Sequence, residues 1–145
     1  MQFLEKFKPL GLLVLRVALG ASFLFHGYPK LSDPARAFKL FQGHGLPSYF
    51  AYISGILEVF GGGLLIAGLF TRGAALLLAI ETALVLGRSI VPSGSIYSFG
   101  RYEMSLLLCA MALALVTTGA GAISIDAFTF ESAGRKSAKK SKAKD

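Results

Sequence analysis

Four long apolar stretches make up most of this chain, and each carries one ionisable residue or has one at its mouth. They are Arg16 in the first, Glu58 in the second, Glu81 in the third and Glu103 at the head of the fourth. A soluble four-helix protein needs a polar face on every helix, and none of these stretches has one. Only 16% of the 145 residues are charged, against about 25% in a soluble domain. The fold class is therefore all-α integral membrane. A charge at the centre of a membrane helix costs roughly 2.5–3.5 kcal/mol on insertion scales, so such residues face a bundle interior or a wet cavity and usually pair. The four ionisable residues thus mark the interior of the bundle.

The apolar stretches predict four transmembrane helices over residues 10–25, 49–70, 74–87 and 103–118. A bilayer core about 30 Å thick takes roughly 20 residues of helix, so the first and third must draw on their flanks. The first loop, beginning at His26, holds Pro29, Pro34 and Pro47, which break regular helix. Between them, residues 34–41 predict a short helix flat on the membrane surface, with Phe38 and Phe41 as an apolar pair. Thr71-Arg72-Gly73 reads as a tight turn, and residues 88–102 as a second loop. One domain results: a short N-terminus over residues 1–9, a membrane domain over 10–126 and a polar tail over 127–145. Residues 1–9 imitate a signal peptide, but Arg16 interrupts what would be its apolar core.

The formal net charge of +7 is concentrated at the end of the chain. Six of fifteen Lys and Arg lie in residues 135–145, a tail without large apolar residues that reads as disordered. In a membrane protein it points to anionic lipid headgroups rather than nucleic acid. With both termini inside, the inner side carries nine basic residues (Lys6, Lys8, Arg72 and the six of the tail). The outer side carries five (Lys30, Arg36, Lys39, Arg88 and Arg101). The positive-inside rule then places both termini in the cytoplasm, as an even number of spans requires. The expected location is a bacterial inner membrane, multi-pass, with the bilayer as the first partner.

Helical rise places Arg16 about 10 Å and Glu81 roughly 12 Å above the inner boundary, with Glu58 about 14 Å below the outer one. Arg16, Glu58 and Glu81 are expected to meet as a buried polar cluster, in which one surplus carboxyl holds a proton. The alternative is purely structural, the charges locking helices in register. Ala75, Ala79, Ala83 and Gly87 form a small-residue ridge that permits close helix contact. It faces another span or another chain, a second copy included. His26, Lys30, Arg88, Arg101, Tyr102 and Glu103 are expected to gather as an outer mouth, with Glu103 near a helix N-terminus that favours its charge.

Other chemistry is thinly marked. A lone Cys109 forms no intrachain disulfide and no CxxC pair. His26 and His44 have no metal or haem ligand spacing around them, so no metal is expected. Gly61-Gly62-Gly63 lies inside a span, where it allows close packing rather than phosphate binding. No nucleophile–base pair is evident, and no catalytic residue can be named.

In order and spacing these residues resemble the DoxX family. The resemblance rests on Arg16, His26-Gly27 with Lys30, Glu58 before Gly61-Gly62-Gly63, Thr71-Arg72, Tyr102-Glu103, and Gly119-x-Gly121-x-x-Ser124-x-Asp126. It covers residues 10–126 and implies four transmembrane helices. Relatives include the small membrane subunit of a thiosulfate:quinone oxidoreductase and membrane partners in thiol-redox and oxidative-stress assemblies. The resemblance therefore implies a membrane subunit or anchor of a quinone-linked or thiol-redox assembly, with other membrane or peripheral subunits as partners. It makes a quinone near Arg16, Glu58 and Glu81 the one cofactor to consider. The competing readings are a small proton-coupled carrier using the same charges and a scaffold without chemistry.

Overall fold

A computed structural model describes residues 2–43, 45–90 and 99–129. Every element among them is helical: α1 Gln2–Ser32, α2 Pro34–Gly43, α3 Tyr49–Ala67, α4 Thr71–Ile90 and α5 Phe99–Thr118. A further helical turn covers residues 125–129. Among the described residues, two stretches are long and apolar enough to cross a bilayer on their own, Phe7–Ser32 and Tyr49–Ala67, while the apolar part of α5, Glu103–Thr118, is shorter.

The distribution of polarity is that of a membrane protein. Arg16, Ser54, Glu58, Thr71, Glu81, Thr82 and Ser124 are buried, whereas Phe25 (80% exposed), Phe60 (70%) and Val14 (60%) face outward. In water such a surface would be an aggregation liability, whereas lipid solvates it.

Helix α1 differs from the expectation. Instead of giving way to a loop at His26, it continues through Pro29 to Ser32. A proline inside a helix loses one hydrogen bond and crowds the carbonyl four residues back. Membrane helices tolerate this where neighbouring elements compensate, and here α3 packs along this end of α1. The packing rests on glycines seven residues apart on both helices. A Cβ at Gly20 would lie 2.6 Å from the Gly62 carbonyl oxygen, and one at Gly27 would lie 2.8 Å from the Glu58 Cβ. A Cβ at Gly55 would press on Lys30 and Leu31. Gly20 thus meets Gly62 while Gly27 meets Gly55 and Glu58, a register that sets the C-terminal end of α1 beside the N-terminal half of α3.

Asp33 starts α2, its carboxylate accepting the Arg36 N–H at 3.2 Å, with Pro34 at the first helical position where no N–H is missed. Rather than lying free, α2 inserts Ala37 and Phe41 against Ala51, with Phe38, Phe50 and Val85 around them. The turn between α3 and α4 also falls earlier than expected. Gly68 takes a left-handed conformation (φ 70°), and the Gly68 and Leu69 N–H groups return to the Leu64 carbonyl, closing α3 at Ala67. Thr71-Arg72-Gly73 then forms the first turn of α4. Likewise α5 begins at Phe99, so Arg101 and Tyr102 belong to its first turn rather than to the loop, and Glu103 follows them within the helix.

Half of the small-residue ridge on α4 is used internally. Ala75 and Ala79 are buried in one core with Leu108, Ala112 and Leu115 of α5, and the Cys109 thiol sits 3.7 Å from the Ala79 carbonyl oxygen. Ala83 and Gly87 are exposed. The expected tail lies outside the described residues from residue 130 onward.

Candidate functional site

The charged clusters sort into two groups, one around Arg16 at the middle of α1 and one around Lys30 near its C-terminal end. Arg16 and Lys30 stand fourteen residues apart on that helix, about 21 Å along its axis, so one set of partners cannot serve both.

At the Lys30 end, α1, α3 and α4 bring four polar side chains together. The Lys30 Nζ lies 2.6 Å from the Glu58 Oε2 as an ion pair. It also donates to the Ser54 Oγ at 2.8 Å, and the Ser54 hydroxyl in turn donates to the Glu81 Oε1 at 2.5 Å. Glu58 and Glu81 are only 6% and 4% exposed. The second Glu81 oxygen, Oε2, is buried without a hydrogen-bond partner. Lys30 also lies 5.3 Å from the centre of the Phe41 ring, so α2 covers the ammonium with an aromatic face.

Ser54 is the residue that sequence reading passed over. It stands one turn before Glu58 and so shares its face, a spacing that is visible in the sequence. A single serine in an apolar helix carries no mark of its own, however. Lys30, expected in the outer mouth, is instead the counter-ion of Glu58.

A cavity of about 560 Å³ opens beside this network. His26, Lys30, Asp33 and Arg36 give it polar walls, and Phe25, Tyr28 and Pro29 an apolar one. The apolar wall continues into a second cavity of about 420 Å³, lined by Ala21, Leu24, Phe25, Tyr28, Pro29 and Val59. The His26 Nδ1 sits 2.7 Å from the Ser22 carbonyl oxygen, an arrangement that needs the proton on Nδ1. Arg88 and Glu103 are exposed and do not line this cavity. The side chains of Arg101 and Tyr102, and the whole of His44, lie outside the described residues. The expected mouth therefore reduces to His26 and Lys30, joined by Asp33 and Arg36.

Arg16 does not join Glu58 and Glu81, contrary to expectation. Its Nη1 donates to the Ala120 carbonyl at 2.7 Å and its Nη2 to the Ile123 carbonyl at 2.8 Å. The guanidinium passes against Gly68, where a Cβ would lie 2.6 Å from Nη1. Beside it, the two Asp126 carboxylate oxygens accept the N–H groups of Phe70 and Thr71 at 2.7 and 2.9 Å, which caps α4. The Asp126 N–H donates to the Gly68 carbonyl at 2.9 Å. Gly119 and Gly121, both at φ 78°, turn the chain so that Ala120 and Ile123 can present their carbonyls. Arg16, Gly68, Thr71, Gly119, Gly121, Ser124 and Asp126 thus form one lock between α1, the α3–α4 turn and the segment after α5.

These motif residues, scattered in sequence, converge on one structure. The pattern of the DoxX family matches residues 11–87. The chain belongs to the DoxX family. It is 32% identical over 122 residues to a Bacillus subtilis protein named "Putative oxidoreductase CatD", covering 84% of this chain and 89% of that one. It is also 32% identical over 130 residues to an uncharacterized protein of Haemophilus influenzae, covering 87% and 96%. No solved structure matches it. Membership makes this a membrane protein, in agreement with its outward apolar surface.

Proposed function

We propose that this DoxX protein is a multi-pass inner-membrane subunit of an oxidoreductase assembly, and that Lys30, Ser54, Glu58 and Glu81 form its working site. In this reading α1, α3, α4 and α5 cross the bilayer and both termini are cytoplasmic, because basic residues are in excess on that side. The Arg16 lock then faces the cytoplasm, and the Lys30 network opens outward. The observation that carries the proposal is the ionic network itself, two buried carboxylates sharing one ammonium beside a cavity that is polar at one end and apolar at the other. Such sites are costly in a membrane and mark function by default. The name of the Bacillus relative supports the redox class.

A quinone fits this cavity by chemistry. Ala21, Leu24, Phe25, Tyr28 and Val59 offer an open apolar groove for a ring and tail, and Lys30 offers a donor to a carbonyl oxygen. When bound, a quinone supplies a carrier of two electrons and two protons. The chain's own residues hold the head, exclude bulk water and keep protons at hand, while the electrons come from a partner subunit. The exposed upper half of the α4 ridge, Ala83 and Gly87, gives a partner helix or a second copy a close approach.

Mild-detergent purification from the native membrane, with mass spectrometry of co-purifying proteins and quinones, tests this reading. A flavin, haem or thiol-redox protein recovered with the wild type, together with quinone lost in Lys30→Met, is the expected result. A preparation free of any redox partner and of quinone overturns it. Substrate flux through vesicles of the purified chain, abolished in Glu58→Gln, would instead establish a carrier.

A further inference from the structure

We infer that Lys30, Ser54, Glu58 and Glu81 form a single exchange site for one proton, with the Ser54 hydroxyl as the bridge between the two carboxyl groups. The inference rests on counting charges and on the direction of the hydrogen bonds. Among the described residues, α3 brings Ser54 and Glu58 to the network, α4 brings Glu81, and α1 brings Lys30. Thr82 of α4 is turned away, its hydroxyl donating to the Leu78 carbonyl. Helix α2 presents the Phe41 ring to Lys30. His26, Asp33 and Arg36 line the cavity outside, and Arg88 lies exposed further along α4. Two buried carboxylates therefore face one ammonium. An isolated charge in a low-dielectric interior neutralises rather than persists, and one added proton makes the set neutral.

The contacts also supply a path. With the proton on Glu58, the Ser54 O–H bond breaks and its proton bonds to the Glu81 Oε1 across 2.5 Å. A Lys30 N–H proton moves to the Ser54 Oγ across 2.8 Å. The Glu58 carboxyl proton restores the Lys30 ammonium across 2.6 Å. One proton has then passed from Glu58 to Glu81, Ser54 and Lys30 are as they began, and no electron has moved. Lys30 is the gate to water, since its side chain is 20% exposed and lines the cavity. Glu81, hydrogen-bonded to Ser54, within electrostatic reach of Lys30 and His26 and with one oxygen left over, is the other terminus. The site goes beyond the redox reading and stands without it, because it needs neither a partner nor a quinone.

Infrared difference spectroscopy of the full chain in lipid nanodiscs, following the protonated-carboxyl stretch at neutral pH and its exchange in deuterium oxide, tests the site. The wild type shows one protonated-carboxyl band that exchanges fast. Glu58→Gln and Glu81→Gln each lose the band, since either leaves one carboxylate for one ammonium. Ser54→Ala keeps the band and loses its fast exchange, while Ser54→Thr retains both. Lys30→Met gains carboxyl absorbance as both groups take up protons. A wild type without the band, a band that survives either Glu substitution, or fast exchange in Ser54→Ala overturns the site. Should the Glu variants fail to purify folded, the Lys30→Met gain decides alone, and its absence overturns the inference.

Discussion

The middle of α1 and its C-terminal end each hold a cation, and they use it in opposite ways. Arg16 spends its terminal nitrogens on two backbone carbonyls, and Asp126 spends both oxygens on two backbone N–H groups. Charge meets fixed dipoles there, in a fork geometry that guanidinium supplies and ammonium does not. Around Lys30 the partners are side chains, carboxylates outnumber cations, and one carboxylate oxygen is left over. The first arrangement ties its charges to fixed backbone groups and holds chain segments together, with Arg16 Nε and Thr71 Oγ1 the buried atoms it leaves without a partner. The second has unused capacity, which is what a site that exchanges protons or ligands requires. Burial alone does not separate the two, since Arg16, Glu58 and Glu81 are all under 10% exposed; the nature of the partners does.

Breaking the Arg16 lock should have the largest effect. Arg16→Met removes two charge-assisted hydrogen bonds worth about 1.5–3 kcal/mol each and leaves the Ala120 and Ile123 carbonyls without their donor. A loss of about 3–6 kcal/mol follows, seen as a collapse of the thermal unfolding midpoint in mild detergent. Arg16→Lys should recover little of it. Gly68→Ala should act in the same direction, because its Cβ would meet the guanidinium at 2.6 Å and φ is 70° there. An Arg16→Met protein as stable as the wild type would show that this lock is dispensable.

The register between Arg16 and Lys30 is the next target. At Gly62 an added Cβ would meet the backbone oxygen of Gly20 at 2.6 Å, whereas at Gly63 it would meet nothing within 4 Å. Gly62→Ala should therefore push α1 from α3 at a cost of about 1–3 kcal/mol, while Gly63→Ala leaves the unfolding midpoint near that of the wild type. Cysteines at Leu31 and Ser54, cross-linked by a short reagent, report whether the Lys30 end has opened. Equal behaviour of the two glycine variants would sink the role given to the register.

Lys30→Met probes the open end. Removing one partner of a buried pair costs about 3–5 kcal/mol when the remaining charge stays. Here both carboxyls can take up protons instead, so the midpoint should fall less than in Arg16→Met, while quinone or partner retention is lost. Stability and function would then separate at Lys30 and coincide at Arg16.

The sequence marks some of this plainly and hides the rest for physical reasons. The apolar stretches, the rarity of charge within them and the family motifs are all legible at the level of residue type. The partners of Arg16 are not, because they are main-chain carbonyls of Ala120 and Ile123, which any residue could supply. Depth estimates put Arg16 near Glu81 because they count residues from a helix end and ignore where the side chain points. Pro29 suggested a break because its effect is local, whereas packing against α3 acts over the whole end of the helix. Gly20, Gly27, Gly55 and Gly62, spaced by seven on each strand of the pair, were a readable signal for the register that sets Lys30 beside Glu58.

The smallest effect should come from the Asp126 cap beside the Arg16 lock. Asp126→Asn keeps a side-chain oxygen that can accept an N–H from Phe70 or Thr71, but loses the second acceptor and the charge favoured at a helix N-terminus. A drop of about 0.5–1 kcal/mol is expected, with Asp126→Ala at about 1 kcal/mol or somewhat more. Both are measurable as modest shifts of the unfolding midpoint. Neither should alter the carboxyl band at the Lys30 end, some 20 Å away by the rise of α1. If Asp126→Asn does change that band, the two clusters are coupled through α4, whose first turn Asp126 caps and whose third turn carries Glu81. The contrast between a passive lock and an active site would then become a single switch read at two places.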